Sequence, residues 1–446
     1  MSVNDRDRLS SLVAEAKKRG ADAADAVLIR STSLSHAQRL GEIEKLERQE
    51  SFDLGLRVFR GRKQAIVSST DFSEVTLSAL VDRALDMAGM VPDDPWSGLA
   101  DPDQLAQNVP DLDMVDPDEP ASEVLIEMAR ECEDAARAVS GITNSEGAEA
   151  SWSHSHVTLA ATNGFAGNYA RTDCGVGVSV IAGEGTKMEA EYDFAHAVFR
   201  ADLENSAAVG TRAGERAVAR LGARRMATSQ IPVVFDPRVA GGLLGHLSGA
   251  ISGPSITRGT SFLKDSLGKQ IFADGIRIID DPHRPRGMRS KPFDAEGVAN
   301  SKRALVEDGR LTTWLLDLSS ARQLEMESTG HAGRGTSGPP SPGPTNLYLE
   351  AGNISPAELR ADITTGLYIT SLMGMGVNGV TGDYSRGASG FWIENGEITF
   401  PVTEMTIASN LNDMYRSLTP ADDLEFRYGT NSPTVRIDGM TVAGGG

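Results

Sequence analysis

The chain has 446 residues, 40% hydrophobic and 24% charged, enough for about two to four folding units with sizeable cores. Its 43 Lys and Arg face 62 Asp and Glu, and a net charge of −19 repels phosphate backbones and anionic lipid, which excludes general nucleic-acid or membrane-surface binding. Two cysteines, Cys132 and Cys174, make no disulfide framework or cysteine zinc site, and with no bilayer-length apolar stretch or secretory signal a cytoplasmic protein is expected.

With 47 Gly, 20 Pro and 5% aromatic residues, a β-rich or mixed protein with many turns is expected. Asn4 to Arg19 reads as a helix, with Leu9, Leu12, Val13 and Ala16 on one face and Gly20 as its cap. Strands are expected over 24–30, over 34–50 in pieces, over 52–59 and over 64–69, then a helix over 72–88. Residues 93–119 are rich in Asp, Pro and Gln. From Asp93 to Asp134 fourteen acidic residues stand against one basic residue, Arg130, which reads as a solvated linker rather than an acidic docking arm. A helix over 121–139, strands near 148–151, 157–162, 175–182 and 187–199, and a helix over 203–221 repeat the first order. The segments GLRVFRGRKQAIVSSTDF and GVSVIAGEGTKMEAEYDF look like counterparts, each a strand, a turn and a strand ending in Asp-Phe before a closing helix, which suggests an internal duplication.

From Ile231 the texture changes to Gly-rich strands, near 346–349, 366–373, 389–400 and 433–442, and the Pro-rich residues 333–344 read as a mobile loop. The expected fold class is α+β. It comprises an N-terminal domain over 1–92, an acidic Pro-rich linker over 93–119, a central domain over 120–228 and a large β-rich C-terminal domain over 229–446.

Gly374, Gly376 and Gly379 match GxGxxG, but turns and a strand follow where a dinucleotide fingerprint needs a helix. Gly268-Lys269 resembles the end of a phosphate loop, yet Gln270 stands where Ser or Thr would bind magnesium. His154 and His156 share one strand face, as two metal ligands would. With Ser151, Ser153 and Ser155 interleaved and no Cys nearby, a solvated polar face is the simpler reading.

The most informative stretch runs from Asp236 to Gly253. Asp236 and Pro237 suit an N-cap and first helical position, and Val239, Leu243, Leu247, Ala250 and Ile251 recur at helical spacing. Gly242, Gly245 and Gly249 line another side, so a buried helix is expected whose small face lets a second backbone come close. The run GGLLGHLSGAISGPSITRGTSFLKDSLGKQIF, together with SPGPTNLYLEAGN, TGDYSRGASGFWIENGEI and SPTVRIDGMTVAG, resembles the TldD/PmbA metalloprotease family over nearly the whole chain. In that family's catalytic TldD branch this helix carries an HExxxH motif, whose two His bind zinc and whose Glu acts as general base. Here Gly241 takes the first His position, Gly242 takes the Glu position, and only His246 is kept. The family's further ligand, a Cys in the C-terminal region, is missing, since no Cys follows Cys174. The pattern resembles the TldE (PmbA) branch. The residues agree independently: no Asp or Glu occurs from Pro237 to Lys264, the nearest other His is His283, and zinc hydrolysis needs about three protein ligands and a carboxylate.

The resemblance implies the non-metal subunit of a heteromeric TldD–TldE-type zinc metalloprotease acting on unfolded or extended peptides, such as microcin leaders and antitoxins. No catalytic residue, metal ligand or cofactor is then expected in this chain. Zinc belongs to a TldD-type catalytic paralogue, and a homodimer formed in its absence is compatible with that reading. His246, Arg258, Ser261, Asp383 and Tyr384 are the expected substrate or partner contacts, and exposed β edges of the third domain would hold a peptide by strand addition. Two rivals stand beside it. One is a stand-alone hydrolase centred on Asp383, Tyr384, Ser385 and Arg386; the other is a binding regulator of the DNA gyrase modulator type, without peptidase involvement.

Overall fold

The computed structural model describes residues 3–444. Helix α1 (Val3–Lys18) ends where Gly20 takes a φ of +112° and the Ala21 N–H reaches back to the Ala16 carbonyl at 3.0 Å. Strands β1 (Ala23–Arg39) and β2 (Glu42–Arg60) follow, turned by Leu40 and Gly41, both at positive φ. They are single long strands rather than the shorter pieces expected. Strand β3 (Lys63–Ser69) and helix α2 (Glu74–Met90), capped by the Ser73 side chain, close the first unit. Helix α3 (Ser122–Ala138), strands β4 (Ile142–Ala161), β5 (Ala166–Ala182) and β6 (Glu189–Ala197), and helix α4 (Ser206–Ala219) form the second. The expected break between 151 and 157 is absent.

The six strands make one antiparallel sheet in the order β3-β2-β1-β4-β5-β6. Its two halves meet where β1 runs against β4, from Asp25 opposite Ala161 to Gln38 opposite Ala148. Side chains alternate across a strand, so Ala24, Ala26 and Leu28 pack under α1 and α2, while Leu34, Ala150 and Trp152 pack with α3 and α4. All four helices therefore cover one face. The Asp-Phe pairs differ in place: Asp71-Phe72 leads into α2, whereas Asp193 and Phe194 lie inside β6, where Asp193 binds Arg212 and Arg216.

In the C-terminal region β7 (Ser229–Phe235) enters the middle of a second sheet, between Thr365–Met373 and Val435–Gly444. Asp383–Glu394 and Glu397–Asn410 continue it, and Glu397–Asn410 also pairs with Val435–Gly444, closing the strands on themselves. The expected strand over 389–400 is split by a turn at Asn395 and Gly396, both at positive φ. A smaller sheet holds Ile278–Asp280, Arg303–Glu307, Arg310–Leu311, Leu347–Leu349 and Thr430–Asn431. Helix α5 (Pro237–Ala250) shares the large apolar core that joins both sheets. No helix among the described residues is long and apolar enough to cross a membrane.

Two segments read as loose are packed. The 93–119 stretch buries Leu105, Leu112 and Met114, exchanges backbone hydrogen bonds with Gly297 and Thr172, and pairs Asp113 with Arg286. It is a strap across the uncovered face of the sheet, because its sparse apolar residues find Val198, Phe293 and Val298 there. Residues 332–342 form a small hairpin whose Arg334 reaches Asp25 at 2.7 Å and whose Thr336 donates to Asp53. A Cβ at Gly55 would strike the Thr336 carbonyl, so only glycine fits there.

Asp25 thus lies between Arg334 and Arg57, with the Arg57 Nε at 3.1 Å and all three side chains buried. Burial would raise its pKa, but the two guanidiniums hold the carboxyl below the usual range. Glu296, 3.6 Å from Arg57, behaves oppositely: burial outweighs the neighbouring cation and pushes its pKa up to about 8. Removing the charge with Asp25→Asn leaves two buried guanidiniums short of an anion, and a loss of roughly 3–5 kcal/mol in urea unfolding is expected. A change below about 1 kcal/mol would contradict that role. Glu296 keeps its proton in the folded chain but loses it when unfolded between its ordinary pKa of 4.5 and about 8, so its contribution to stability falls as pH rises through that window. Glu296→Gln is expected to flatten the pH dependence there, as read by Tm against pH, and to leave the slope unchanged if the carboxyl is ionised.

Candidate functional site

The site is built on α5. Asp236 accepts from the Arg238 N–H at 2.9 Å and from the Tyr368 hydroxyl at 2.7 Å, fixing the start of the helix. Ala240, Leu243, Leu244 and Leu247 are buried in the core. Gly242, Gly245 and Gly249 form the opposite stripe, exposed, and a Cβ on any of them would meet nothing within 4 Å. The glycine side is therefore open, and among the described residues no second backbone approaches it, contrary to the expectation of a buried face. Gly241 is flanked differently, with the Thr430 carbonyl 3.4 Å from where its Cβ would stand.

His246 is half-buried at the edge of the stripe, its ring centroid 5.8 Å from that of Tyr384 and nearly perpendicular to it. Burial, and then the nearby Arg386 cation, lower the imidazole pKa. Burial pushes the Tyr384 phenol up to about 12, so both rings are neutral at pH 7. Asp383 points to the other side of its strand. It is exposed and accepts from Thr381 at 2.6 Å and Asn410 at 3.2 Å, hydrogen bonds that hold its pKa down. Ser261 is buried, donating to the Ala250 carbonyl at 2.6 Å and accepting from the Leu263 N–H, so its hydroxyl ties down the end of α5 and is not a surface contact. Arg258 is exposed and borders a separate cavity of about 320 Å³ with Arg57, Trp96 and Glu296. Of the five expected contacts, the structure joins His246 to Tyr384, turns Asp383 to the opposite side of the same strand and sets Arg258 and Ser261 apart.

The GxGxxG run is the turn between two antiparallel strands, with Met375 at its exposed tip and no helix opening from it. Among the described residues no three His, Cys, Asp or Glu come together as a metal site. The rings of His154 and His156 lie 4.4 Å apart on the helix-covered face of β4, and burial lowers both pKa values. Cys132 and Cys174 are buried in the central core, their thiols pushed up to about 12. The donors around His246 do not fit a zinc ion, since Gly241 and Gly242 offer none.

Sequence reasoning missed a second polar region. On the sheet face away from the helices, Ser31, Ser33 and Ser35 of β1 lie against Ser155, Ser153 and Ser151 of β4, all half-buried. Beside them Tyr192, Phe194 and His196 project from β6 over Gly177 and Gly175. Arg238, from the first turn of α5, lies over Tyr192 at 4.9 Å and reaches Glu191 at 3.3 Å, while Arg427 pairs with Glu204 at 2.8 Å. The spacing of aromatic rings at every second position of 192–196 was the available signal.

The chain joins two helix-capped halves of one sheet to a β-rich domain that carries the glycine-striped helix α5. The models of PmbA/TldA metallopeptidase domain 1, central domain and C-terminal domain match residues 24–88, 115–221 and 228–444. The chain belongs to this PmbA/TldD family. It is 40% identical to metalloprotease PmbA of Escherichia coli O157:H7 over 95% of this chain and 92% of that protein. A crystal structure from Bacteroides thetaiotaomicron, described as a modulator of DNA gyrase, superposes with a TM-score of 0.92 at 25% identity, covering 99% of each chain. TldE of Thermococcus kodakarensis shares the fold, with a TM-score of 0.87 at 20% identity over 98% of this chain and 100% of that one.

Because the glycine stripe of α5 is open, Gly242→Ala, Gly245→Ala and Gly249→Ala are each expected to stabilise the isolated chain by roughly 0.5–1 kcal/mol. Thermal unfolding of the three variants checks this, and destabilisation would show that the face is packed.

Proposed function

We propose that this chain is the subunit without a metal site in a two-chain zinc peptidase of the TldD–TldE type, and that it shapes the channel for unfolded or extended peptides. The bare face of α5 carries the reading. Where the catalytic branch places two zinc ligands and a general base, this helix offers Gly241, Gly242 and one neutral His246. The TldD-type paralogue supplies zinc and the attacking water, and this chain supplies walls. His246, Tyr384 and the glycine stripe leave room for a peptide backbone, with the ring nitrogens of His246 available to one peptide group.

The stand-alone hydrolase is less well supported. Asp383 and Tyr384 point to opposite faces, Tyr384 is 2% exposed, and Arg386 donates to the Met373 carbonyl at 3.2 Å, so the four residues do not converge. An acidic mimic of nucleic acid is disfavoured by the packing of 93–119 against the sheet.

Cleavage of an unfolded peptide is to be measured for this chain, for its HExxxH paralogue and for the two co-purified. Turnover is expected only with the paralogue present and to rise at least about tenfold when both chains are combined. Turnover by this chain alone, abolished in Tyr384→Phe, would overturn the proposal.

A further inference from the structure

The aromatic row of β6 borders a cavity of about 440 Å³ on the sheet face opposite the helices. Its floor is Gly175 and Gly177. A Cβ on Gly175 would stand 2.6 Å from the His196 ring and one on Gly177 2.9 Å from the Phe194 Cβ, so the absence of side chains there is what lets the row lie flat. Tyr192, 52% exposed, stacks parallel to Phe194 at 6.2 Å, and Phe194 meets His196 edge-on at 5.7 Å and lies tilted against Tyr428 at 5.4 Å. Across the floor stand Glu44, Glu146 and Glu149, all exposed, and among the described residues no Lys or Arg lines the cavity. The Lys45 ammonium pairs with Glu47 at 2.7 Å and has Glu149 as a further neighbour. His196 is itself hydrogen-bonded to Asp173 at 3.1 Å.

Aromatic faces opposed by carboxylates over a bare backbone floor favour a cation on a slender stem, since ring quadrupole and anion act on the same charge. The row already holds one such group, the Arg238 guanidinium over Tyr192. The serines of β1 and β4 continue the floor with side chains no larger than a hydroxymethyl, so an extended chain can lie beside the cavity and drop one residue into it. We propose that this cavity is a subsite for a lysine or arginine side chain of an extended peptide. The inference rests on the reading that the chain handles extended peptides, and adds a preference for cationic ones.

The test uses the full chain without its paralogue, so that it stands apart from cleavage. Fluorescently labelled unstructured peptides of one sequence, carrying lysine, acetyl-lysine or glutamate at the same positions, are titrated by anisotropy. The lysine peptide is expected to bind roughly tenfold more tightly than the acetyl-lysine form, and the glutamate form most weakly. The exposed-site variants Glu146→Gln/Glu149→Gln and, separately, Tyr192→Ala are each expected to remove most of that difference, with unchanged far-ultraviolet circular dichroism. Equal affinity for the three peptides, or full discrimination retained in both variants, would overturn the subsite. Competition by lysine amide at concentrations as low as the peptide's would likewise overturn it in favour of a free-amine site. If cleavage with the paralogue fails while the lysine preference holds, the channel reading falls and the subsite stands.

Discussion

The buried carboxylate of Asp25 joins the two halves of this molecule. It sits on the first long strand, takes one guanidinium from the neighbouring strand through Arg57 and another from the C-terminal domain through Arg334. A charge so placed is tolerated only with both partners present, so the Pro-rich hairpin that carries Arg334 must be ordered, and Gly55 must stay bare to admit it. The strap over 93–119 seals the same face with Leu105, next to Phe293 and Val298. Arg238 on Glu191 and Arg427 on Glu204 form a second tie, which aims the start of α5 at the edge strand β6.

The open glycine stripe of α5 and the serine-paved sheet therefore stand on units tied together by these ion pairs. Both are built from side chains that contribute space rather than chemistry. Three glycines in a helix interior each cost about 1 kcal/mol relative to alanine, and the present fold offers them no packing in return. The proposed role, a subunit that leaves room for a peptide while a paralogue holds the metal, accounts for that expense. A self-sufficient hydrolase does not, because its acid, base and nucleophile would have to converge, and Asp383 and Tyr384 face apart.

Much of this was legible from the residues. The periodicity of Leu9 to Ala16 and the cap at Gly20 mark α1, and Asp236-Pro237 marks the start of α5 to the residue. The repeated α-β-β-β-α order was visible too, though the long strands were read in fragments. Polar positions such as Ser31, Ser33, Ser151 and Ser153 break a hydrophobic pattern without breaking a strand whose face is half-exposed. Tertiary contacts were not legible. Acidity and proline content describe 93–119 and 333–344 as solvated or mobile, but Leu112, Met114 and Arg334 find partners hundreds of residues away in sequence or in another unit. The face of α5 that bears Gly242, Gly245 and Gly249 reads as buried in the sequence because small residues usually mark close packing, yet it is open. Ser261 looked like a contact beside Arg258, and its hydroxyl instead ties the end of α5 to the following turn.

The measurement that bears most directly on this account is the zinc content of the mixed complex with the HExxxH paralogue, comparing the natural chain with His246→Ala. The account predicts that bound zinc is unchanged by the substitution, because every ligand comes from the paralogue. Loss of zinc from the His246→Ala complex would show that this chain completes the metal site, and would contradict its assignment as the subunit without one.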